Sequence, residues 1–374
     1  MSEVTLIATA AMGIEAIVNR EVKQLGYETT VENGKVIFNA PIEAIPRCNL
    51  WLRTADRLKI VVGQFKATTF DELFEQTKSL PWEEFISEDG EFPVVGKSQK
   101  SKLYSVSDSQ AIVKKAIVDR LKLKYGVAGK MPETGPLYRV EIALHKDMAT
   151  LTIDTSGSGL HRRGYRVEQG LAPLKETLAA ALVLLTNWRA DEPLIDPFCG
   201  SGTIPIEAAF IGQNIAPGFN REFASEEWSW IKQKYWDESY IEAEDLANYD
   251  QPLNIMGSDI DHRMINQAKT NAMEAGLADL IQFKQMNVKD LVLQKEGGYL
   301  ISNPPYGERM GKQDDVSDIY HTLGKIMQTD PTWSVYILTA FKPFEKTYGQ
   351  KATRKRKLFN GFIQTDYYQF FGKR

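Results

Sequence analysis

A chain of 374 residues, 43% hydrophobic and 25% charged, has the length for two or three domains and the balance of an ordinary globular protein. No apolar run approaches the ~20 residues that span a bilayer, and the opening MSEVTLIATAAMG has no basic leader segment. Two cysteines and four scattered histidines exclude a disulfide framework and a zinc site, so the expectation is a cytoplasmic, metal-free protein.

Residues 1–62 read as a small α+β unit. VTLIAT is a strand, and Ile14, Ile17, Val18, Val22 and Leu25 recur at helical spacing in the next segment. TTVENGKVIF sets Asn33-Gly34 between two β-prone runs, the strongest short hairpin signal. PIEAIPRCNLWL reads as helix and RLKIVVGQF as strand. Residues 63–155 form a second α+β unit: helix TFDELFEQTKSL, strand EFPVVGKSQ, a long helix, then two strands in LYRVEIALHKDMATLTID. The long helix takes Ser107 or Ser109 as N-cap and Gly126 as its stop, with Ile112, Ala116, Val118, Leu121 and Leu123 as apolar positions. A glycine-punctuated connector covers residues 156–175.

From 176 to 374 short apolar strands alternate with helices, which implies a doubly wound parallel sheet. RKLFNGFIQTDYYQFF closes it with an antiparallel hairpin turning at Asn360-Gly361. An acidic insertion at about 214–250 carries Trp228, Trp230 and Trp236, which either stack bases or pin the insertion to the domain.

The charge is unevenly spread. Residues 69–92 hold eight carboxylates against one lysine, and residues 222–250 hold nine against two. Residues 94–124 hold eight Lys/Arg, and KATRKRK (351–357) five basic residues in seven. Such local stripes suit phosphate contact better than the net charge of −4 suggests.

In doubly wound sheets ligands bind beyond the carboxyl ends of the strands. Three loops fall there. DPFCGSGT (Asp196–Thr203) has Gly200 and Gly202 to turn tightly and bring backbone close to a ligand. The third position of a dinucleotide fingerprint is Pro205, and the acid expected ~20 residues on is missing, which disfavours a nicotinamide cofactor. Asp196 suits a cationic amino group. In GSDID, Asp259 can accept both hydroxyls of a ribose and Ile260 can pack on an adenine, or Asp259 is a helix cap and Ile260 core. In MNV, Asn287 can bond an adenine amine, or is a plain turn residue.

Apart from these three stands NPPY, Asn303, Pro304, Pro305 and Tyr306. Pro305 has no N–H, so the Pro304 carbonyl joins the Asn303 side-chain carbonyl as a pair of acceptors on one rigid edge. Two acceptors that hold the hydrogens of an aromatic exocyclic amine favour a pyramidal nitrogen with its lone pair aimed at an electrophile. Tyr306 offers a face to an extruded base.

DPFCGSGT and NPPYGER, with GLHRRGYR (159–166) and APLKETLAAAL (172–182), resemble the THUMP-domain class I S-adenosylmethionine-dependent RNA guanine-N2 methyltransferases, closest to those of large-subunit rRNA. The resemblance covers nearly the whole chain. It implies a ferredoxin-like domain (1–62), a THUMP domain (63–155), a linker (156–175) and a Rossmann-like methyltransferase domain (176–374). It implies S-adenosyl-L-methionine on Asp196, Phe198, Cys199, Gly200, Ser201, Gly202 and Thr203, with Asp259, Ile260 and Asn287 around the nucleoside. The target amine is then at Asn303, Pro304, Pro305 and Tyr306, without metal and with Cys199 not a nucleophile. Many relatives carry aspartate where Asn287 stands. RNA phosphates are expected at Lys97, Lys100, Lys102, Arg162, Arg163, Arg166, Arg354, Lys355 and Arg356. A tRNA guanine-N2 enzyme, a DNA adenine-N6 enzyme and a non-catalytic RNA-binding assembly factor are the alternatives.

Overall fold

A computed structural model describes residues 3–167, 174–293, 297–306 and 313–373. The strands are β1 (Glu3–Thr9), β2 (Thr29–Glu32), β3 (Lys35–Pro41), β4 (Arg57–Lys66), β5 (Val94–Gln99), β6 (Arg139–His145), β7 (Met148–Asp154), β8 (Leu194–Asp196), β9 (Ile255–Asp259), β10 (Ile281–Gln285), β11 (Gly298–Ser302), β12 (Trp333–Thr339), β13 (Arg354–Asn360) and β14 (Ile363–Phe370). The helices are α1 (Glu15–Gln24), α2 (Ala44–Trp51), α3 (Phe70–Ser79), α4 (Val106–Tyr125), α5 (Glu176–Leu184), α6 (Thr203–Gly212), α7 (Gln233–Leu246), α8 (His262–Glu274), α9 (Gln313–Met327) and α10 (Phe344–Tyr348).

The two N-terminal units share one seven-stranded sheet, ordered β2-β3-β1-β4-β7-β6-β5. β4 joins them. Its first residues pair with β1, and from Lys59 onward it pairs with β7, with a register shift between Val61 and Gly63. A strand that runs through residue 62 therefore makes continuous what the sequence divides there. Helix α4 is capped by Ser105, whose Oγ accepts from the Asp108 N–H, instead of by Ser107 or Ser109. Its buried face is Ser109, Val113, Ala116, Ile117 and Leu121, while Leu123 is exposed. The helix stops as expected at Gly126, in a left-handed conformation.

The C-terminal sheet runs β10-β9-β8-β11-β12-β14-β13. Its first five strands are parallel, and β14 and β13 pair antiparallel at the other side. The chain leaves β8 toward β9 on one side and returns to β11 on the other, so the switch point lies between β8 and β11. Helices α5 and α6 are buried around nearly their whole circumference, which matches their almost unbroken apolar sequences.

The acidic insertion rivets the two sheets together. Trp228 stacks on Tyr138 with centroids 4.9 Å apart, and its indole N–H donates to the Leu137 carbonyl. The Trp230 indole donates to the Phe85 carbonyl, and Trp236 stacks on Phe223. With Trp228 and Trp236 each 1% exposed, the pinning role is the one the fold displays. Arg163 is likewise internal. Its guanidinium faces Glu207 of α6 at 3.2 Å and donates to the Leu160 and Arg53 carbonyls, and Glu207 also accepts from the Tyr165 hydroxyl. A side chain sealed between two domains by a buried carboxylate cannot meet an RNA phosphate, which corrects the expectation for this residue.

Removing one member of such a pair strands the other charge. Arg163→Ala is expected to lower the unfolding free energy by about 3–5 kcal/mol, as read by chemical denaturation, with the apolar pair Arg163→Met/Glu207→Leu recovering only part of it because the Leu160 and Arg53 carbonyls and the Tyr165 hydroxyl lose their partners.

Candidate active site

The glycine loop begins where β8 ends. Asp196 is 2% exposed, and its Oδ1 accepts from the Ser302 hydroxyl at 2.5 Å and from the Phe198 N–H at 3.1 Å. Burial, reinforced by the nearby Asp259 charge, pushes its carboxyl up to about 7 against these hydrogen bonds. The loop then leans on β9. The Cys199 N–H donates to the Ser258 carbonyl at 2.9 Å, and the Gly200 N–H to Asp259 Oδ2 at 3.1 Å. Burial raises the Cys199 thiol well above its usual range, reinforced by the nearby Asp196 and Asp259 charges.

The two glycines have different reasons to be glycine. At Gly202 (φ +84°) a Cβ would sit 2.9 Å from the Phe283 ring and 3.0 Å from Ala268. At Gly200 (φ +51°) nothing lies within 4 Å of where a Cβ would be, so the loop opens there onto free space. Thr203 is the first residue of α6 and Ser201 sits in the turn before it.

Asp259 closes β9. Its Oδ1 accepts from the Asp261 N–H, and burial raises its carboxyl above the usual range. The cap of α8 is Asp261, which leaves Asp259 outside the helix. Ile260 is 65% exposed, so it is not core but an apolar face beside the carboxylate. Asn287 is a turn residue whose Oδ1 accepts from the Lys289 N–H and caps a single 3₁₀ turn. One lone pair of that carbonyl remains for another donor.

The last loop continues β11. Because Ser302 bonds Asp196, the residue that follows it, Asn303, stands beside the start of the glycine loop. Among the described residues Asn303 Oδ1 is buried and has no hydrogen-bond partner. A buried carbonyl left without a donor costs about 1–3 kcal/mol. The prolines are held from behind, where the Tyr320 hydroxyl donates to the Pro305 carbonyl at 3.1 Å and meets Thr339 Oγ1 at 2.8 Å. Tyr306 is 6% exposed, with its hydroxyl accepting from Asn360 Nδ2 at 3.0 Å. It is a fixed wall with little of its ring open to solvent. Gly307, Glu308 and Arg309, the rest of that motif, lie outside the described residues, as do residues 168–173 of the connector.

Three residues of this site have no sequence signal. Ser302, Tyr320 and Asn360 look like a strand residue, a helix residue and a turn residue, and only the packing brings them to Asp196, Pro305 and Tyr306. The basic candidates separate. Lys97, Lys100, Lys102, Arg162, Arg354 and Lys355 are exposed, although the Lys97 ammonium lies 3.1 Å from Glu141. Arg356 is half-buried on the inward side of β13. Arg166 turns inward to Glu176 at 2.9 Å and to the loop hydroxyls of Ser201 and Thr203, so like Arg163 it is no surface phosphate contact. Among the described residues no cluster of His, Cys, Asp and Glu could hold a metal ion, and no helix is long and apolar enough to cross a membrane.

Comparison with known proteins places this geometry. Family models match residues 163–369 as an RMKL-like methyltransferase domain, residues 5–59 as an RlmL ferredoxin-like domain, and residues 67–154 as a THUMP domain. A relative from Bacillus subtilis (strain 168), with the provisional name RNA methyltransferase YpsC, is 62% identical over 100% of this chain and 97% of its own. The ribosomal RNA large subunit methyltransferase K/L of Syntrophotalea carbinolica (strain DSM 2380 / NBRC 103641 / GraBd1) is 34% identical over 96% of this chain, which spans about half (52%) of that longer protein. Two solved structures each superpose with a TM-score of 0.96 over 100% of this chain. One, from Listeria monocytogenes str. 4b F2365, is described as a predicted N6-adenine-specific DNA methylase (60% identity, 97% of that chain covered). The other is SMU.472, provisionally named a methyltransferase, complexed with SAH (48% identity, 99% covered). A glycine loop and an amide–proline turn at one switch point, carried on a sheet that these matches span end to end, make the chain a member of the RMKL-like methyltransferase family, with ferredoxin-like and THUMP domains ahead of its catalytic domain.

Proposed function

We propose that the protein is an RNA methyltransferase that transfers the methyl group of S-adenosylmethionine to the exocyclic N2 of a guanosine, in large-subunit rRNA. The observation that carries this reading is the buried Oδ1 of Asn303, which has no hydrogen-bond partner among the described residues and follows directly on the Ser302 that bonds Asp196. A carbonyl acceptor buried at this position suits a ligand that brings its own N–H, and an exocyclic amine does so.

The residues fit the cofactor. Asp196 would face its ammonium, Gly200 leaves space above the loop, Asp259 would accept from its ribose hydroxyls, and the exposed Ile260 would lie against its base. When bound, the cofactor supplies a methyl group on a sulfonium. Asn303 Oδ1 and the Pro304 carbonyl accept from the amine hydrogens and turn its lone pair out of the ring. Tyr320 and Asn360 keep Pro305 and Tyr306 from moving as they do so, which favours reaction by position instead of by acid–base catalysis. The THUMP domain and the exposed Lys100 and Lys102 support an RNA substrate, and the rRNA assignment follows the K/L relative. The same amide–proline turn serves the N6 amine of adenine, and the description of the Listeria structure favours that as the second reading. Incubation with radiolabelled S-adenosylmethionine and rRNA, tRNA or DNA from a strain lacking the gene separates the two. Label in DNA alone would overturn the proposal.

Three outcomes are expected. Asn303→Ala lowers turnover by about a hundredfold or more, by analogy with other single transition-state contacts, while S-adenosylhomocysteine affinity measured by calorimetry stays unchanged. An ammonium ligand prefers ionised Asp196, whose carboxyl titrates near about 7, so binding releases protons and tightens as pH rises. Between about pH 5.5 and 7.5 the S-adenosylhomocysteine affinity increases, and Asp196→Asn flattens that profile. Replacing Lys100 and Lys102 with Glu weakens RNA binding and reduces the slope of log affinity against log salt by about two.

A further inference from the structure

The connector makes a set of contacts that neither phosphate binding nor the catalytic turn accounts for. Every nitrogen of the Arg166 guanidinium is engaged. Nε donates to Glu176 at 2.9 Å, Nη1 reaches Ser201 Oγ at 3.4 Å, and Nη2 donates to Thr203 Oγ1 at 3.0 Å and to the Leu174 carbonyl at 3.2 Å. The side chain is 13% exposed and its charge is matched by Glu176, itself 5% exposed. The next residue continues the contact. The Val167 N–H donates to Asn271 Oδ1 at 3.2 Å, and Asn271 Nδ2 donates to the Ser201 carbonyl at 3.0 Å, with Asn271 fully buried. Two adjacent connector residues thus hold the same turn of the glycine loop, one through its hydroxyls and one through its backbone.

This arrangement fixes which way those hydroxyls can act. An oxygen that accepts from a cation has its O–H hydrogen directed elsewhere, and the neighbouring positive charge makes that hydrogen a better donor. The loop opens to free space at Gly200, next to Ser201. A ligand whose amino-acid end lies on this loop carries a carboxylate as well as an ammonium, and Asp196 can satisfy only the ammonium.

We propose that Arg166 is a positioning residue that orients the Ser201 and Thr203 hydroxyls as donors to the α-carboxylate of the cofactor. The inference rests on the reading of Asp196–Thr203 as the cofactor loop. Arg166 acts through the two hydroxyls and takes no part in RNA binding. A lysine cannot replace it, since an ammonium cannot span Glu176 and both loop oxygens in one planar fork.

The test compares two ligands that differ only at the amino-acid end. S-adenosylhomocysteine carries the carboxylate, and 5′-methylthioadenosine has the same nucleoside and thioether without the amino acid. In Arg166→Ala and Arg166→Lys, calorimetry should find S-adenosylhomocysteine weakened about tenfold or more, the size of a lost charge-assisted hydrogen bond. Methylthioadenosine affinity should stay within about twofold of the unaltered protein, and RNA affinity and its salt slope should not change. Thr203→Val removes one acceptor while keeping the side-chain shape, and should give the same selective loss at smaller size even where Arg166 variants fold poorly. Equal weakening of both ligands would make Arg166 a purely structural residue, and a flattened RNA salt slope would make it a phosphate contact. Either overturns the proposal. If the unaltered protein binds methylthioadenosine and S-adenosylhomocysteine equally, the loop does not hold an amino-acid end, and the cofactor reading falls together with the inference.

Discussion

One hydrogen bond sets the stage for everything at this site. The Ser302 hydroxyl donates to the buried Asp196 carboxylate across the tips of β8 and β11. The parallel pairing of the two strands brings their ends level, and the switch point leaves the space beyond those ends free of a crossover. The bond also has a second effect. It stabilises a carboxylate that burial would otherwise neutralise, so the group is poised to change charge near neutral pH instead of being locked in one state.

Rigidity on the far side of the site is built from groups that contribute nothing to its chemistry. Tyr320 on α9 braces the Pro305 carbonyl, and Asn360 at the end of β13 braces the Tyr306 hydroxyl. Two prolines remove backbone freedom, and two side-chain contacts remove what remains. The Asn303 carbonyl, without a hydrogen-bond partner among the described residues, is tolerable only because its surroundings are fixed. In a looser turn the amide would rotate to find a partner.

The N-terminal sheet is bound to the catalytic domain by desolvated contacts. The Arg163–Glu207 pair, the Trp228–Tyr138 stack and the two indole–carbonyl bonds of Trp228 and Trp230 all lie between the two halves. Arg221 adds donors to the carbonyls of Ser156, Ser158, Gly159 and Arg162, which pins the start of the connector. The tryptophans of the acidic insertion are thus internal scaffolding while acids such as Asp237, Glu238, Glu244 and Asp245 face solvent, and Lys100, Lys102, Arg162, Arg354 and Lys355 are exposed elsewhere. A net charge of −4 says little about partners when the acids are spent on one surface and the bases on others.

By itself the sequence determined the local features whose causes are local. The Asn33-Gly34 turn, the Gly126 stop, the α/β alternation after residue 176 and the turns that follow β8 and β11 were legible because turn chemistry and periodicity act over a few neighbours. The second Asn-Gly pair marks the limit of that kind of reading. The turn there is formed by Gly361 and Phe362, one residue later than expected, and Asn360 ends β13 to bond Tyr306, 54 positions away. Long-range pairing also decided that β4 would fuse two units into one sheet. It decided that the arginines of one short connector would part company, Arg162 outward and Arg163 and Arg166 inward. An arginine looks the same in a sequence whether it will meet water or a buried glutamate. Which of the two it meets is set by the desolvation of its partner, and that partner is chosen only when the helices carrying Glu176 and Glu207 have packed.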